Sequence, residues 1–161
     1  MLVVEQLQPK RHDRSGFACG EPTLDSYLRQ LAAQHHRDGI STTHVLVDDA
    51  APGHILGYYT LSAAQLLLTE LQELDRRRLP NYSVPAIRMG RLAVSRSEQG
   101  KAHGDYLLAH AVARCLSLRE QLGVRVLVVD ALHTKAARFY RHYGFRETSE
   151  CAMTLYLPLG C

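Results

Sequence analysis

Tryptophan is missing from this chain of 161 residues, and its four cysteines, Cys19, Cys115, Cys151 and Cys161, stand far apart with no CxxC pair. Zinc sites draw on ligands clustered along the chain, and disulfide frameworks belong to small secreted domains, so this spacing argues against both. His35, His36, His103, His110 and His142 share no metal-ligand spacing, so no metal is expected. No stretch approaches the roughly 18 consecutive apolar residues of a membrane span. The opening residues, MLVVEQLQPKRHDR, lack the charged start, apolar run and small-residue cleavage site of a secretory signal. A soluble cytoplasmic protein with no membrane partner is therefore expected. Internal repeats, low-complexity tracts and Pro/Ser-rich linkers are also missing, which points to one domain over residues 1–161. Charge of one sign is in short supply. The formal net charge is +3, which permits a nucleic-acid partner without demanding one.

The chain does hold an ordinary globular balance, 46% hydrophobic and 22% charged, at a length that buries a real core. Leu2 to Gln6 reads as a first strand. Pro22 opens a helix, TLDSYLRQLAAQHHRD, with Leu24, Leu28 and Leu31 along one face and Gly39 closing it. THVLVDD and HILGYYTLSAA follow as strands around the turn AAPG, and LTELQELDRRRLP as a short helix stopped by Pro80. After the loop NYSVP comes AIRMGRLAVS, a strand interrupted by Gly90. VRVLVVDAL is nearly all apolar, as a central strand covered on both faces must be. Thr134 is placed to cap a helix, KAARFYRHY, that Gly144 ends, and FRET and MTLYLPL read as the last strands. The order predicts an α/β protein with a mixed sheet.

Between two of these strands lies SEQGKAHGDYLLAHAVARC. Gly100 and Gly104 precede Leu107, Leu108, Ala111, Cys115, Leu118 and Leu122 at helical spacing, so a glycine loop opens a helix that Gly123 stops. Free N–H groups at such a helix start suit an anion such as a phosphate. An ordinary turn capping a core helix reads the same way, and the residues alone leave both open.

The succession RLAVS, QGKAHG, helix, VDA and FYRHYGF resembles the GNAT acetyltransferase superfamily over most of the chain, most densely from Arg88 to Phe145. FACGEPTLDSYL, GYYTLS, GRLAV and FYRHYGF narrow the resemblance to the GNAT toxins of bacterial toxin–antitoxin pairs. The resemblance implies a GNAT fold: a single, mixed, mostly antiparallel sheet with splayed central strands and flanking helices. It implies acetyl-CoA as donor and aminoacyl-tRNA as acceptor, through its α-amine. It also implies a ribbon-helix-helix antitoxin as partner and a homodimer.

The same resemblance assigns roles. The Arg/Gln-x-x-Gly-x-Gly/Ala pyrophosphate loop falls on Gln99, Gly100, Lys101, Ala102, His103 and Gly104, with Ala102 where glycine is usual. A methyl crowds a left-handed backbone but fits a helical one, so Ala102 sets a question of geometry. Leu92, Ala93 and Val94 offer main-chain groups to the pantetheine arm, and the N–H of Val94 suits the thioester oxygen. Tyr140 is the general acid: a phenol with a pKa near 10 is protonated at neutral pH. Phe139, about 100° around the helix from it, and His133 are further cofactor contacts. Arg29, Arg77, Arg78, Arg88, Arg91 and Arg138 form the expected tRNA-binding set, with Arg76 and Arg141 near them. Asp130 and His133 sit where strand ends and caps need polar groups, Glu98 reads as exposed, and no glutamate base stands out. Two other readings remain: the same chemistry on a small amine or a protein lysine, and a CoA-binding module without turnover.

Overall fold

The computed structural model describes residues 1–160; Cys161 lies outside the described residues. Strands β1 (Leu2–Gln6), β2 (Thr42–Asp48), β3 (Gly57–Leu66), β4 (Val84–Val94), β5 (Val126–Asp130), β6 (Arg146–Glu147) and β7 (Thr154–Pro158) build one seven-stranded sheet, ordered β1-β2-β3-β4-β5-β7-β6. The pairs β1–β2, β2–β3, β5–β7 and β6–β7 are antiparallel, and β4–β5 is parallel. Helices α1 (Pro22–Ser26), α2 (Ala32–Arg37), α3 (Glu73–Arg76), α4 (His103–Leu118) and α5 (Thr134–His142) accompany it. The α/β mixed sheet read from the sequence is the one observed.

The chain falls into two compact units, residues 1–62 with 90–111 and residues 63–89 with 112–161. In the first unit, Phe17, Tyr27, Leu28 and Ala32 pack with Val45, Val47, Tyr58 and Ala93. Burying each large side chain of this kind contributes about 1.5–3 kcal/mol. Gly57, at the start of β3, is needed for close approach: a Cβ there would lie 2.8 Å from the Ala93 carbonyl oxygen and 2.9 Å from a Leu107 methyl. In the second unit, Leu66, Leu71, Val84, Ala86, Val126, Val128 and Tyr156 form the core cluster. Four of the five residues of β5 are buried, as its apolar run demands.

Five local expectations need correction. The helix from Pro22 is interrupted by a π-helical turn over Tyr27–Leu31, where the Ala32 N–H reaches back to the Tyr27 carbonyl. The extra residue rotates the stripe, so Leu28 and Ala32 are buried while Leu31 is 44% exposed. The segment before Pro80 holds only a 3₁₀ turn, Leu68–Glu70, and the single turn of α3, leaving Arg77 and Arg78 beyond the helix with Arg78 at φ 66°. α4 ends at Leu118; turns carry the chain onward, and Leu122 is exposed. His133, not Thr134, caps α5, its Nδ1 accepting from the Ala136 N–H at 3.2 Å. β4 also starts earlier than expected, so Val84 and Pro85 belong to the strand.

Candidate active site

Gly100 at φ 86° and Ala102 at φ 62° are both left-handed, one on each side of Lys101, and α4 begins at His103. The Ala102 carbonyl accepts the first helical bond, from Tyr106. Among the described residues, the main-chain N–H groups of Gly100, Lys101, Ala102, His103 and Gly104 meet no protein acceptor. A run of such groups at the start of a helix is a concave anion seat. The question left open for Ala102 is answered: it keeps the left-handed geometry without glycine.

Glu98 ties the loop together. Its carboxylate accepts from Lys101 Nζ at 3.3 Å and meets His103 Nε2 at 3.2 Å, and these partners, His103 first, hold it below the usual carboxylate range. It is therefore part of the loop rather than merely exposed. The acid–Lys–His spacing over residues 98–103 is a local signal that could have revealed this. Gln99 uses both amide protons on the backbone, donating from Nε2 to the carbonyls of Cys19 at 2.8 Å and Val94 at 3.1 Å. Its main-chain N–H turns back to the Arg96 carbonyl at 3.4 Å, so the free donors begin at Gly100. The parallel ladder of β4 with β5 runs from Ala86 to Met89, and β4 continues through Leu92, Ala93 and Val94.

In the second unit Tyr140 is 6% exposed, with Phe139 and Phe145 at ring-centroid distances of 5.4 Å. Burial pushes its phenol well above the ordinary tyrosine value, and Asp130 adds to the effect. Among the described residues its hydroxyl has no hydrogen-bond partner. The residue is buried, but its hydroxyl oxygen is not among the fully buried atoms that lack a partner, and a protonated phenol is a donor. Phe139 is half-buried and also packs edge-on against Tyr143.

The predicted arginines divide by what holds them. Arg88 is ion-paired with Asp130, whose other oxygen accepts from Thr154 Oγ1 at 3.0 Å. That removes Asp130 as a base and neutralises Arg88. Arg91 lies over the Tyr27 ring at 3.5 Å, and the Tyr27 hydroxyl meets His35 Nδ1 at 2.9 Å. Arg29 donates to the Phe17 carbonyl at 2.7 Å. Arg141 pairs with Glu147 at 3.1 Å. Arg77, Arg78 and Arg138 are exposed, and among the described residues none has an acidic partner. The loop carrying Arg77 and Arg78 is anchored just before them, where Asp75 accepts from both Arg146 and the Tyr156 hydroxyl.

The acetyltransferase (GNAT) domain family matches residues 39–147. This chain belongs to the GNAT acetyltransferases. It is 38% identical over 133 residues to the tRNA-acetylating toxin of Mycobacterium tuberculosis, a match covering 83% of this chain and 78% of that protein. AtaT complexed with acetyl-methionyl-tRNAfMet superposes with a TM-score of 0.91 at 31% identity, covering 98% of this chain and 95% of that one. A tyrosine-to-phenylalanine AtaT mutant, bound to the C-terminus of the antitoxin AtaR and acetyl-CoA, gives 0.83 at 31% identity, covering 98% and 93%. In this GNAT acetyltransferase no helix of the described residues is long and apolar enough to cross a membrane.

Proposed function

We propose that this acetyltransferase acetylates the α-amine of aminoacyl-tRNA in the cytoplasm, as a toxin restrained by an antitoxin. The observation that carries the donor is the free N–H seat from Gly100 to Gly104, which fits a pyrophosphate. The likeness to a tRNA-acetylating toxin and to tRNA-bound AtaT supports the acceptor, and the unpaired Arg77, Arg78 and Arg138 fit a phosphate backbone. The antitoxin reading is supported by the AtaR-bound neighbour; a ribbon-helix-helix protein and a homodimeric toxin complete it.

Acetyl-CoA, when bound, supplies an acyl group activated as a thioester. Gly100 to Gly104 would hold its pyrophosphate through main-chain donors, with Lys101 adding charge and His133 and Phe139 as further contacts. Leu92, Ala93 and Val94 orient its arm by main-chain pairing, the Val94 N–H facing the acyl oxygen. As the C–N bond forms and the C–S bond breaks, Tyr140 gives its proton to the leaving sulfur and regains one from the acetylated amine through water. The carboxylates near these groups are engaged, Asp130 by Arg88 and Glu98 by Lys101 and His103. That suits an acceptor needing no strong base. At pH 7.5 roughly a third of an α-amine is unprotonated, against roughly 0.1% of a lysine. Gln99, with both amide protons spent, acts by shaping the loop.

Thermal unfolding with acetyl-CoA tests the donor assignment. At a hundredfold excess over Kd, a ligand of the folded state stabilises by about 2.7 kcal/mol. For a chain of this size that is a rise in Tm of roughly 5–10 °C. Gly104→Glu sets a carboxylate in the seat and abolishes the rise. A wild-type Tm indifferent to saturating acetyl-CoA refutes the assignment.

A further inference from the structure

The segment FACGEPTLD has no part in the reaction described above, yet it is bonded to Gln99 of the donor loop and to Arg96 just before it. Asp25, in the first turn of α1, is 7% exposed, and its Oδ1 accepts from the Cys19 N–H at 2.8 Å. The Cys19 carbonyl, on the next peptide, accepts from Gln99 Nε2, and the Ala18 carbonyl accepts from the Arg96 N–H at 2.8 Å. Gly20 is left-handed at φ 102°, and a Cβ there would lie 3.1 Å from Arg96 Nη2, so the guanidinium rests against the bare glycine. α1 is itself tied to β3, where the Tyr58 hydroxyl donates to the Leu24 carbonyl at 2.7 Å. The Cys19 thiol adds no reactivity: burial, with Asp25 adding to it, pushes it up to about 11. What the segment supplies is position.

We infer that Asp25 is a positioning residue for the donor loop, acting through the Cys19 peptide on Gln99. This rests on the reading of Gln99 to Gly104 as the acetyl-CoA seat. A buried carboxylate fixes the plane of the Ala18–Cys19 peptide. The chain through Cys19 then presents a carbonyl to Gln99, and Gln99 spans that carbonyl and the one of Val94 at the end of β4. The two left-handed residues that follow start from this clamp. Without Asp25 the Cys19 N–H loses its buried acceptor, and the Gln99 side chain loses one of its two fixed carbonyls. The loop then samples conformations in which the N–H groups diverge, and the donor must restore the ordered one on binding.

A double-mutant cycle on acetyl-CoA affinity, read by calorimetry on the full chain, tests this. Groups acting through one another are non-additive, whereas independent sites add. Asp25→Ala and Gln99→Ala should each weaken acetyl-CoA by roughly tenfold, and the double variant should be little worse than either single one. Asp25→Asn keeps an oxygen acceptor for Cys19 and should bind within about twofold of wild type. With saturating acetyl-CoA, kcat should be retained in Asp25→Ala and Asp25→Asn, so the defect of Asp25→Ala sits in KM for the donor. Equal losses from Asp25→Ala with and without Gln99, or a kcat that falls with KM, would make Asp25 a general fold residue and overturn the inference. Gln99 is exposed, so Gln99→Ala reports even if Asp25→Ala fails to fold, and an unchanged Kd in it is equally fatal. Wild type that binds no acetyl-CoA removes the seat itself, an outcome distinct from intact wild-type binding with silent variants.

Discussion

Ala102→Gly tests the loop geometry with the smallest possible change, one methyl. Ala102 is exposed at φ 62°, so its methyl buries nothing while its backbone sits in the left-handed region. That conformation costs an L-residue about 1–2 kcal/mol. Glycine relieves it but gives the unfolded chain more freedom, which removes about 0.5–1 kcal/mol of the gain. The net is a stabilisation of about 0.5–1 kcal/mol, which is a rise in Tm of roughly 1–4 °C. Ala102→Val works in the opposite direction, because a β-branched residue tolerates positive φ worst. Scanning calorimetry on the three proteins, each with and without acetyl-CoA, reads both effects. Glycine at 102 should also bind the donor at least as well as alanine, since the loop is already held in the shape glycine prefers. A lowered Tm for Ala102→Gly, or an undisturbed one for Ala102→Val, would show that residue 102 is not left-handed in solution.

Other perturbations follow from single contacts. Tyr140→Phe should cut kcat by about 10²–10⁴-fold with acetyl-CoA affinity kept, measured by initial rates and calorimetry. Because burial raises the Tyr140 phenol, its deprotonation should not limit the wild-type rate below pH 10. Gly57→Ala drives a Cβ into the Ala93 carbonyl and should cost about 1–3 kcal/mol, read as a lowered urea midpoint. Cys115 is pushed up to about 11 by burial from an unfolded value of 9.0, so its contribution is whole below pH 9 and is lost as pH climbs through 11. Cys115→Ala should therefore flatten the fall of stability with pH in that window, followed by urea unfolding from pH 8 to 11. Arg77→Glu with Arg78→Glu should weaken tRNA acetylation and reduce its salt dependence, while the paired Arg88 contributes less than Arg138 to that slope.

Local signals made much of the fold, and the loop proposed as the donor seat, legible in the sequence. The QGKAHG loop and the apolar residues Leu107 to Cys115 sit within one stretch of chain, and glycine spacing with a helical stripe is enough to read them. The apolar run of β5 and the closing glycines Gly39 and Gly144, both left-handed, were legible for the same reason. What stayed hidden is paired over distance. Nothing near Arg88 announces Asp130, which lies 42 residues on and meets it only because β4 and β5 run parallel. Gln99 and Cys19 are 80 residues apart, so FACGEPTLD was visible as a pattern but not as the support of the loop. The π-helical turn escaped because a 3.6-residue period, which puts Leu31 on one face with Leu24 and Leu28, assumes that no residue is inserted.

As proposed above, this chain moves an acetyl group from acetyl-CoA to the α-amine of an amino acid esterified to tRNA. The direct measurement is incubation of the purified protein with acetyl-CoA and a pool of charged tRNAs, polyamines and lysine peptides, followed by mass spectrometry of each acceptor. N-acetyl-aminoacyl esters on tRNA are expected, formed by wild type, strongly reduced in Tyr140→Phe, and falling steeply with salt. Acetylated polyamine or lysine, with every charged tRNA untouched and a flat salt response, would contradict it.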